Sequence, residues 1–140
     1  MVQYTTEDQS DAAFEELVGK AERLVQELGL HYRLSKLAAG DCSFSMARTY
    51  DIEVWIPSMG IYKEVSSASN ARDYQARRGN VKYRGADKKL HLAHTLNASG
   101  LATSRVIPAI VEQYQNDDGS VTVPEVLRPY LGIDRIEKQR

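Results

Sequence analysis

The sequence has little cysteine. Its 140 residues include only Cys42, so an intrachain disulfide is excluded and a reducing compartment is the simplest context. No apolar run approaches the roughly 20 residues that a membrane-spanning helix needs. The polar segment 1–10 has no apolar core of a signal peptide. These features predict a cytoplasmic protein with no membrane partner.

A net charge of one sign is also lacking, since 18 Lys+Arg oppose 19 Asp+Glu for a formal charge of -1. This balance excludes a general polyanion binder. The charges are nevertheless unevenly placed. Residues 1–30 carry seven acids and two bases, a balance of -5, whereas residues 72–89 carry seven bases and two acids, a balance of +5. Two interpretations stay open, namely two solvated faces or a basic rim that meets phosphate.

Hydrophobic periodicity predicts an N-terminal helix whose apolar stripe includes Phe14 and Leu24; Ser10 caps it, and it ends before Gly29, a residue suited to a left-handed C-cap. In YDIEVWI, residues 50–56, strict alternation predicts a strand with Asp51 on the side opposite Ile52. The pattern predicts further helices at 71–78 and 99–115, a loop at 66–70, and strands at 31–39, 50–56, 61–65, 81–84, 90–96 and near 120–124. The links between strands are short enough for hairpins. The sequence therefore predicts an α/β (α+β) fold whose antiparallel sheet is flanked by helices, rather than a parallel βαβ sheet.

Several common site motifs are absent: GxxxxGK[ST], GxGxxG, HExxH and CxxC. The histidines do not form an obvious metal set, because His91 and His94 fall on opposite faces if their segment is one strand. A structural or solvent-exposed role is predicted for each of them.

One candidate for chemistry is Glu64, near the end of a predicted strand and followed by several hydroxyl and amide side chains. A carboxylate beside hydroxyls can hold Mg²⁺, which prefers oxygen ligands. A carboxylate at the centre of a sheet is costly unless it is paired or coordinated. The alternative is an ion pair with Lys63, Lys82 or Arg84.

A second candidate is the segment 95–105, where a strand leads into a helix. Asn97 and Ser99 are polar, Gly100 permits close backbone approach, and Arg105 can clamp a phosphate. An ordinary helix start with a surface arginine is the alternative. In QARRGN, residues 75–80, adjacent arginines either contact phosphate or stabilise a helix end.

Together these segments resemble a known family. TYDIEVW, EVSSASN, QARR, TLNASGLATSR and DGSVTVPEVLRPY occur here in the order and spacing typical of the C-terminal half of the catalytic domain of seryl-tRNA synthetases. The resemblance runs from about Val2 to Gly132. It implies a class II synthetase core that joins L-serine to ATP and then transfers the seryl group to tRNA(Ser).

The resemblance also implies roles for individual residues. Arg105 matches the arginine of class II motif 3, which binds ATP. The family's ATP- and magnesium-binding turn corresponds to Glu64, Val65, Ser66 and Ser67, with Glu64 and Ser67 as the Mg²⁺ ligands. Ser99 matches a position in the serine pocket, with Asn97 beside it. Arg105 and Glu64 are thus the expected catalytic residues.

Other parts of the family's pattern are not found in these 140 residues. They are the tRNA-binding coiled coil, motif 1, which builds the family's homodimer interface, and motif 2. We therefore expect residues 1–140 to be the C-terminal part of the catalytic domain, an incomplete core with little or no activity alone. The alternatives are one half of a split synthetase and a synthetase-like binding or regulatory module.

Overall fold

The computed structural model describes residues 1–138. The strands are β1 Val2–Thr5, β2 Tyr32–Lys36, β3 Arg48–Ile56, β4 Ile61–Asn70, β5 Lys82–Arg84, β6 Leu90–Leu92, β7 His94–Ala98, β8 Val121–Thr122 and β9 Arg135–Ile136. The α-helices are α1 Ser10–Glu27, α2 Tyr74–Gly79, α3 Thr103–Gln113 and α4 Arg128–Leu131, with short 3₁₀ helices at Pro57–Met59 and Glu125–Leu127.

The predicted antiparallel sheet is confirmed. Five strands lie in the order β1-β7-β4-β3-β2, and every neighbouring pair is antiparallel. The pairs β5–β6 and β8–β9 form two small separate sheets. The main sheet follows from the alternating residues of β3 and from the turn at Pro57–Met59, which returns the chain directly into β4.

Helices α1 and α3 cover one face of the main sheet. Ile52, Val54 and Ile56 alternate toward this face and are at most 5 % exposed. The same cluster contains Ala21 and Val25 of α1 and Val106 and Ala109 of α3. The other face, which we call the open face, carries Asp51, Glu53 and Trp55, which alternate with those core residues along β3. Packing on the hydrophobic face therefore determines where both helices lie.

Three predicted boundaries are wrong, and hydrogen bonding explains each. Residues 66–70 are not a loop but part of the central strand β4, where all five pair with β3 and residues 68–70 also pair with β7. The strand predicted at 90–96 is interrupted at Ala93, whose N–H donates to Val81 instead. The second long helix begins at Thr103 rather than 99, because residues 99–102 bond to β4 first.

The start of α1 also differs in detail. Ser10 is the first helical residue rather than the cap, and Gln9 holds the cap position without a side-chain hydrogen bond. Ser10 is buried, and its hydroxyl accepts a hydrogen bond of 2.9 Å from the Asn70 amide. The serine therefore links the helix to the end of β4 instead of satisfying the helix terminus.

Gly29 has the left-handed conformation that the sequence predicted, with φ of 67°. The structure adds a second constraint, because the Tyr114 hydroxyl donates 2.8 Å to the Leu28 carbonyl and occupies the space where a Cβ of residue 29 would lie. Gly60 has φ of 63° but no atom within 4 Å of its Cβ position, so it is a matched control for backbone strain alone.

We expect Gly60→Ala to lower the free energy of unfolding by about 1 kcal/mol, the cost of a left-handed L-residue. Gly29→Ala should cost about 2 kcal/mol, because the Tyr114 hydrogen bond is worth roughly another 1 kcal/mol. Urea denaturation of both variants measures the difference. Equal losses would show that Tyr114 does not constrain position 29.

Candidate active site

The two candidate segments of the sequence meet at one edge of β4. Strand β7 pairs with residues 68–70 of β4, and the segment 99–105 continues along the earlier part of the same edge. The N–H groups of Ser99 and Ala102 donate to the carbonyls of Ser67 and Val65 over 3.1 and 2.7 Å. These bonds hold the start of α3 against β4 and fix its direction.

Arg105 and Glu64 come together at this edge. Arg105 Nη1 donates 2.7 Å to the Glu64 carbonyl, and it lies 3.7 Å from the carboxylate Oε2 of the same residue. The Arg105 and Glu64 side chains are 51 % and 45 % exposed, so both remain accessible to a ligand. A guanidinium has five N–H donors. One contact to the backbone therefore anchors the side chain while leaving donors that can bind an anion.

Both residues line a cleft of about 480 Å³ between α3 and the β3–β4 turn, together with Ile56, Met59, Lys63, Ser104, Pro108 and Glu112. Small-molecule sites typically measure about 300–1,000 Å³. Glu112 is held at the far wall, where its carboxylate accepts bonds of 2.8 Å from both the N–H and the hydroxyl of Ser58. The cleft therefore has the size and the polar groups of a ligand site.

A β-bulge in β4 determines which way Glu64 and Ser67 point. The register pairs Glu53 with Glu64 but Ile52 with Ser66, so Val65 is the extra residue. In a regular strand, residues three apart point to opposite faces. The extra residue shifts the alternation of β4 by one position, so Glu64 and Ser67 both point to the open face. The two predicted Mg²⁺ ligands are thus brought to one side of the sheet.

The remaining predicted site residues are placed as follows. Val65 belongs to the hydrophobic core at 1 % exposure, so only its backbone can reach a ligand. Ser66 is equally buried, and its hydroxyl donates 2.9 Å to the Ser99 carbonyl. Asn97 is the register partner of Ser69, which places its side chain on the open face with Ser67. Ser99 is exposed just beyond β7.

The Glu64 carboxylate does not bear the cost of a buried, unpaired charge, because its side chain is 45 % exposed and lies 3.7 Å from Arg105 Nη1. Its ion-pair partner is Arg105 and not Lys63, Lys82 or Arg84. Within QARR, Arg77 pairs with Asp73 at 2.5 Å, while Arg78 is exposed.

Asp51 is a further candidate that sequence reasoning placed only on the polar side of β3. It is 9 % exposed, and its Oδ1 is buried without a hydrogen-bond partner among the described residues. The register sets Asp51 directly opposite Ser67 on the open face. Buried polar atoms are rarely left unsatisfied. The sequence feature that could have identified Asp51 is the acidic residue within the strand TYDIEVW.

The histidines have surroundings different from those predicted. His91 and His94 lie on separate strands, β6 and β7, and line one cavity of about 330 Å³ with Glu7, Arg72, Asp73, Tyr83 and Leu92. The argument from opposite faces of one strand is therefore wrong. Across residues 1–138, however, no three His, Cys, Asp or Glu side chains are grouped as metal ligands.

Within the same range of residues, the longest helices are too short or too polar to cross a lipid bilayer.

Comparison with known families identifies one model that matches residues 1–114, described as the tRNA synthetase class II core domain (G, H, P, S and T). The chain is 70 % identical over 137 residues to serine–tRNA ligase 2 of Clostridium acetobutylicum, and 56 % identical over 137 residues to the serine–tRNA ligase of Fervidobacterium nodosum. These alignments cover 97 % and 98 % of this chain but 32 % of each relative. The chain thus spans about a third of these relatives.

Solved structures give the same result. The seryl-tRNA synthetase of Pyrococcus horikoshii, crystallised with ATP, superposes with a TM-score of 0.94 at 41 % identity, covering 99 % of this chain and 31 % of that one. The cytoplasmic serine–tRNA ligase of Naegleria fowleri, in complex with AMP, superposes with a TM-score of 0.88 at 37 % identity, covering 99 % and 34 %.

Proposed function

Because this chain belongs to the tRNA synthetase class II core domain family, we propose that it supplies part of the ATP- and serine-binding site of a serine–tRNA ligase. Residues 1–140 would form the C-terminal part of the catalytic domain. The observation that carries the proposal is the attachment of segment 99–105 to the edge of β4, which joins Arg105 to Glu64. ATP and AMP are present in the complexes of two similar synthetases.

In this proposal Arg105 binds the triphosphate of ATP. Its bond to the Glu64 carbonyl fixes one end of the guanidinium, so less side-chain freedom is lost when phosphate binds. An arginine can contact phosphate through two parallel N–H bonds, which positions the ligand as well as neutralising its charge. Holding the triphosphate in a fixed orientation lowers the entropic cost of the reaction with serine.

The oxygen groups near Arg105 fit Mg²⁺. Glu64 and Ser67 share the open face, and the unpaired Asp51 Oδ1 lies on the strand position opposite Ser67. Mg²⁺ is usually bound by one or two carboxylates together with substrate phosphates and waters, not by a full cage of protein ligands. Glu64 and Ser67 would hold the ion, and Asp51 would accept hydrogen bonds from its waters. The ion would neutralise part of the triphosphate charge.

Ser99 and Asn97 are proposed to recognise L-serine. Both are polar, and they lie at the C-terminal end of β7 close to Ser67, with Ser99 bonded to Ser67 through the backbone. A site that hydrogen-bonds the substrate hydroxyl rejects an analogue without it, because the polar groups of the site would stay unpaired. This pair would therefore favour serine over alanine.

The reaction proposed for the whole protein forms seryl-adenylate and pyrophosphate from L-serine and ATP, and then transfers the seryl group to tRNA(Ser). A homodimer and a cytoplasmic location belong to the same proposal, on the basis of the family resemblance. The serine–tRNA ligase relatives support the overall reaction.

Removing the proposed metal ligand tests this function. We expect Glu64→Gln to weaken binding of Mg-ATP about tenfold, because loss of groups that support a metal typically costs 10–100-fold in affinity. Binding of ATP in EDTA should not weaken, since the neutral amide of this variant does not repel the phosphates as the carboxylate does. Calorimetric titration with and without Mg²⁺ measures both affinities.

Glu112→Gln is the matched control, because Glu112 lines the same cleft but its carboxylate is bound to Ser58. It should leave the Mg²⁺ dependence unchanged. If wild type and Glu64→Gln showed the same gain in affinity from Mg²⁺, the assignment of Glu64 as a metal ligand would be wrong.

A further inference from the structure

A second charged surface lies on the β5–β6 hairpin and the end of α2. We call it the basic hairpin surface, and its members are Arg78, Lys82, Arg84, Lys88 and Lys89. All five are exposed, and none of them forms an ion pair with another residue in the range 1–138. The proposed active site uses none of these residues.

The hairpin has two different faces. Tyr83 and His91 stack on one of them with ring centroids 5.6 Å apart, and they line the cavity that also contains Glu7 and His94, so this face is turned toward the rest of the protein. Lys82 and Arg84 lie two residues apart on β5, and therefore both leave the opposite face. The cations are thus directed away from the protein body.

The turn of the hairpin keeps the other cations close to Arg84. The Gly85 N–H donates 2.9 Å to the Lys89 carbonyl, which closes the turn. Arg84 Nη1 donates 2.7 Å to the Lys88 carbonyl, so the guanidinium lies over the turn that carries Lys88 and Lys89. Four cations are consequently concentrated within a short hairpin.

The two acids of this region, Asp73 and Asp87, form their ion pairs with residues outside the basic hairpin surface. Asp73 accepts two hydrogen bonds from Arg77, which lower the pKa of its carboxyl group. Asp87 is hydrogen-bonded to His91 at 2.9 Å, and this bond lowers the pKa of Asp87. Neither carboxylate forms an ion pair with the five cations of the surface, and with both acids counted residues 72–89 keep a balance of +5.

We propose that the basic hairpin surface binds the phosphate backbone of tRNA. The inference rests on the proposed function, which makes tRNA a substrate. Exposed cations with no acidic partner are the groups that replace counterions on a nucleic acid. Because the overall charge is -1, binding of RNA has to come from a local basic surface and not from general attraction. The surface is formed by paired strands and a closed turn, so the backbone positions that carry the cations are fixed.

The test is the salt dependence of binding of a tRNA(Ser) transcript to the 140-residue chain, measured by fluorescence anisotropy. The triple variant K82Q/R84Q/K89Q should bind at least tenfold more weakly at low salt. Its slope of log Kobs against log salt should be shallower by about 2 to 3, because each lost phosphate contact contributes about 0.9.

K20Q/R23Q/K36Q is the matched control, since it also removes three positive charges and takes the formal net charge from -1 to -4. Its slope should equal that of the wild type. Equal losses in both triple variants would assign the effect to net charge and overturn the proposal. A wild-type chain that binds no tRNA at low salt would overturn it as well.

Polyglutamate of matched charge distinguishes RNA from an acidic protein partner. If it bound as tightly as tRNA and lost as much affinity in the hairpin variant, the RNA assignment would be overturned.

ATP titration of the same variant separates the two proposals. If the hairpin variant binds both ATP and tRNA like the wild type, the proposal for the basic hairpin surface is wrong and the proposed function is unaffected. If the wild type binds no ATP, the proposed function is wrong.

Discussion

Arg105→Ala should reduce the affinity of the chain for Mg-ATP by about 10- to 150-fold. This magnitude follows from a charge-assisted hydrogen bond, which is worth roughly 1.5–3 kcal/mol when one partner is removed. The substitution also removes the bond to the Glu64 carbonyl, so the rest of the site loses the group that orients the phosphates. Calorimetric titration with Mg-ATP measures the affinity.

Two further variants make this result specific. Arg105→Lys keeps the charge but loses the paired N–H geometry, and should recover only part of the affinity. Arg23→Ala is a matched control, because Arg23 is also an exposed helix arginine paired with a glutamate, at 2.7 Å from Glu27. It should bind ATP like the wild type. Equal affinities of wild type and Arg105→Ala would remove Arg105 from the site.

Phe14→Ala should lower the free energy of unfolding by about 3–5 kcal/mol, the range for removing a buried aromatic side chain. Phe14 is fully buried between α1 and the sheet, where its ring lies 5.6 Å from that of Tyr50 and beneath the Arg48 guanidinium at 5.0 Å. The loss leaves a cavity that the surrounding strands cannot fill without moving. Chemical denaturation measures it.

Leu24→Ala is the control for this substitution. The periodicity of the sequence placed Leu24 in the same apolar stripe as Phe14, but Leu24 is 39 % exposed. It should cost about 1 kcal/mol, less than Phe14→Ala, since Leu24 is the smaller side chain and buries less apolar surface on folding. Similar losses for both variants would mean that the degree of burial does not determine how much each position stabilises the protein.

Much of the fold could be predicted from local patterns. The stripe of α1, the left-handed Gly29 and the alternation in β3 each depend on neighbours in sequence, which is why they were correct. The errors arose where distant residues decide the structure. Residues 66–70 have the composition of a loop, yet they belong to a central strand because β3 pairs with all of them and β7 pairs with residues 68–70 on the other side.

The candidate site shows the same division. Residue types and family resemblance indicated Glu64, Ser67, Ser99 and Arg105, and the structure places all four along one edge of β4. Their roles stay predictions. Asp51 was not singled out, because its burial depends on the sheet around it and not on its place in TYDIEVW.

The sequence by itself determined the residue types, the spacing of the motifs and the positions of the main helix and strands, since these follow from local periodicity and backbone preference. Only the tertiary structure decided that Glu64 and Ser67 share a face. Three residues apart, they would point in opposite directions in a regular strand. The bulge at Val65 arises from the register with Ile52 and Glu53 of β3, which are 13 and 12 positions away in the sequence. Long-range pairing, and not sequence spacing, therefore set the geometry of the site.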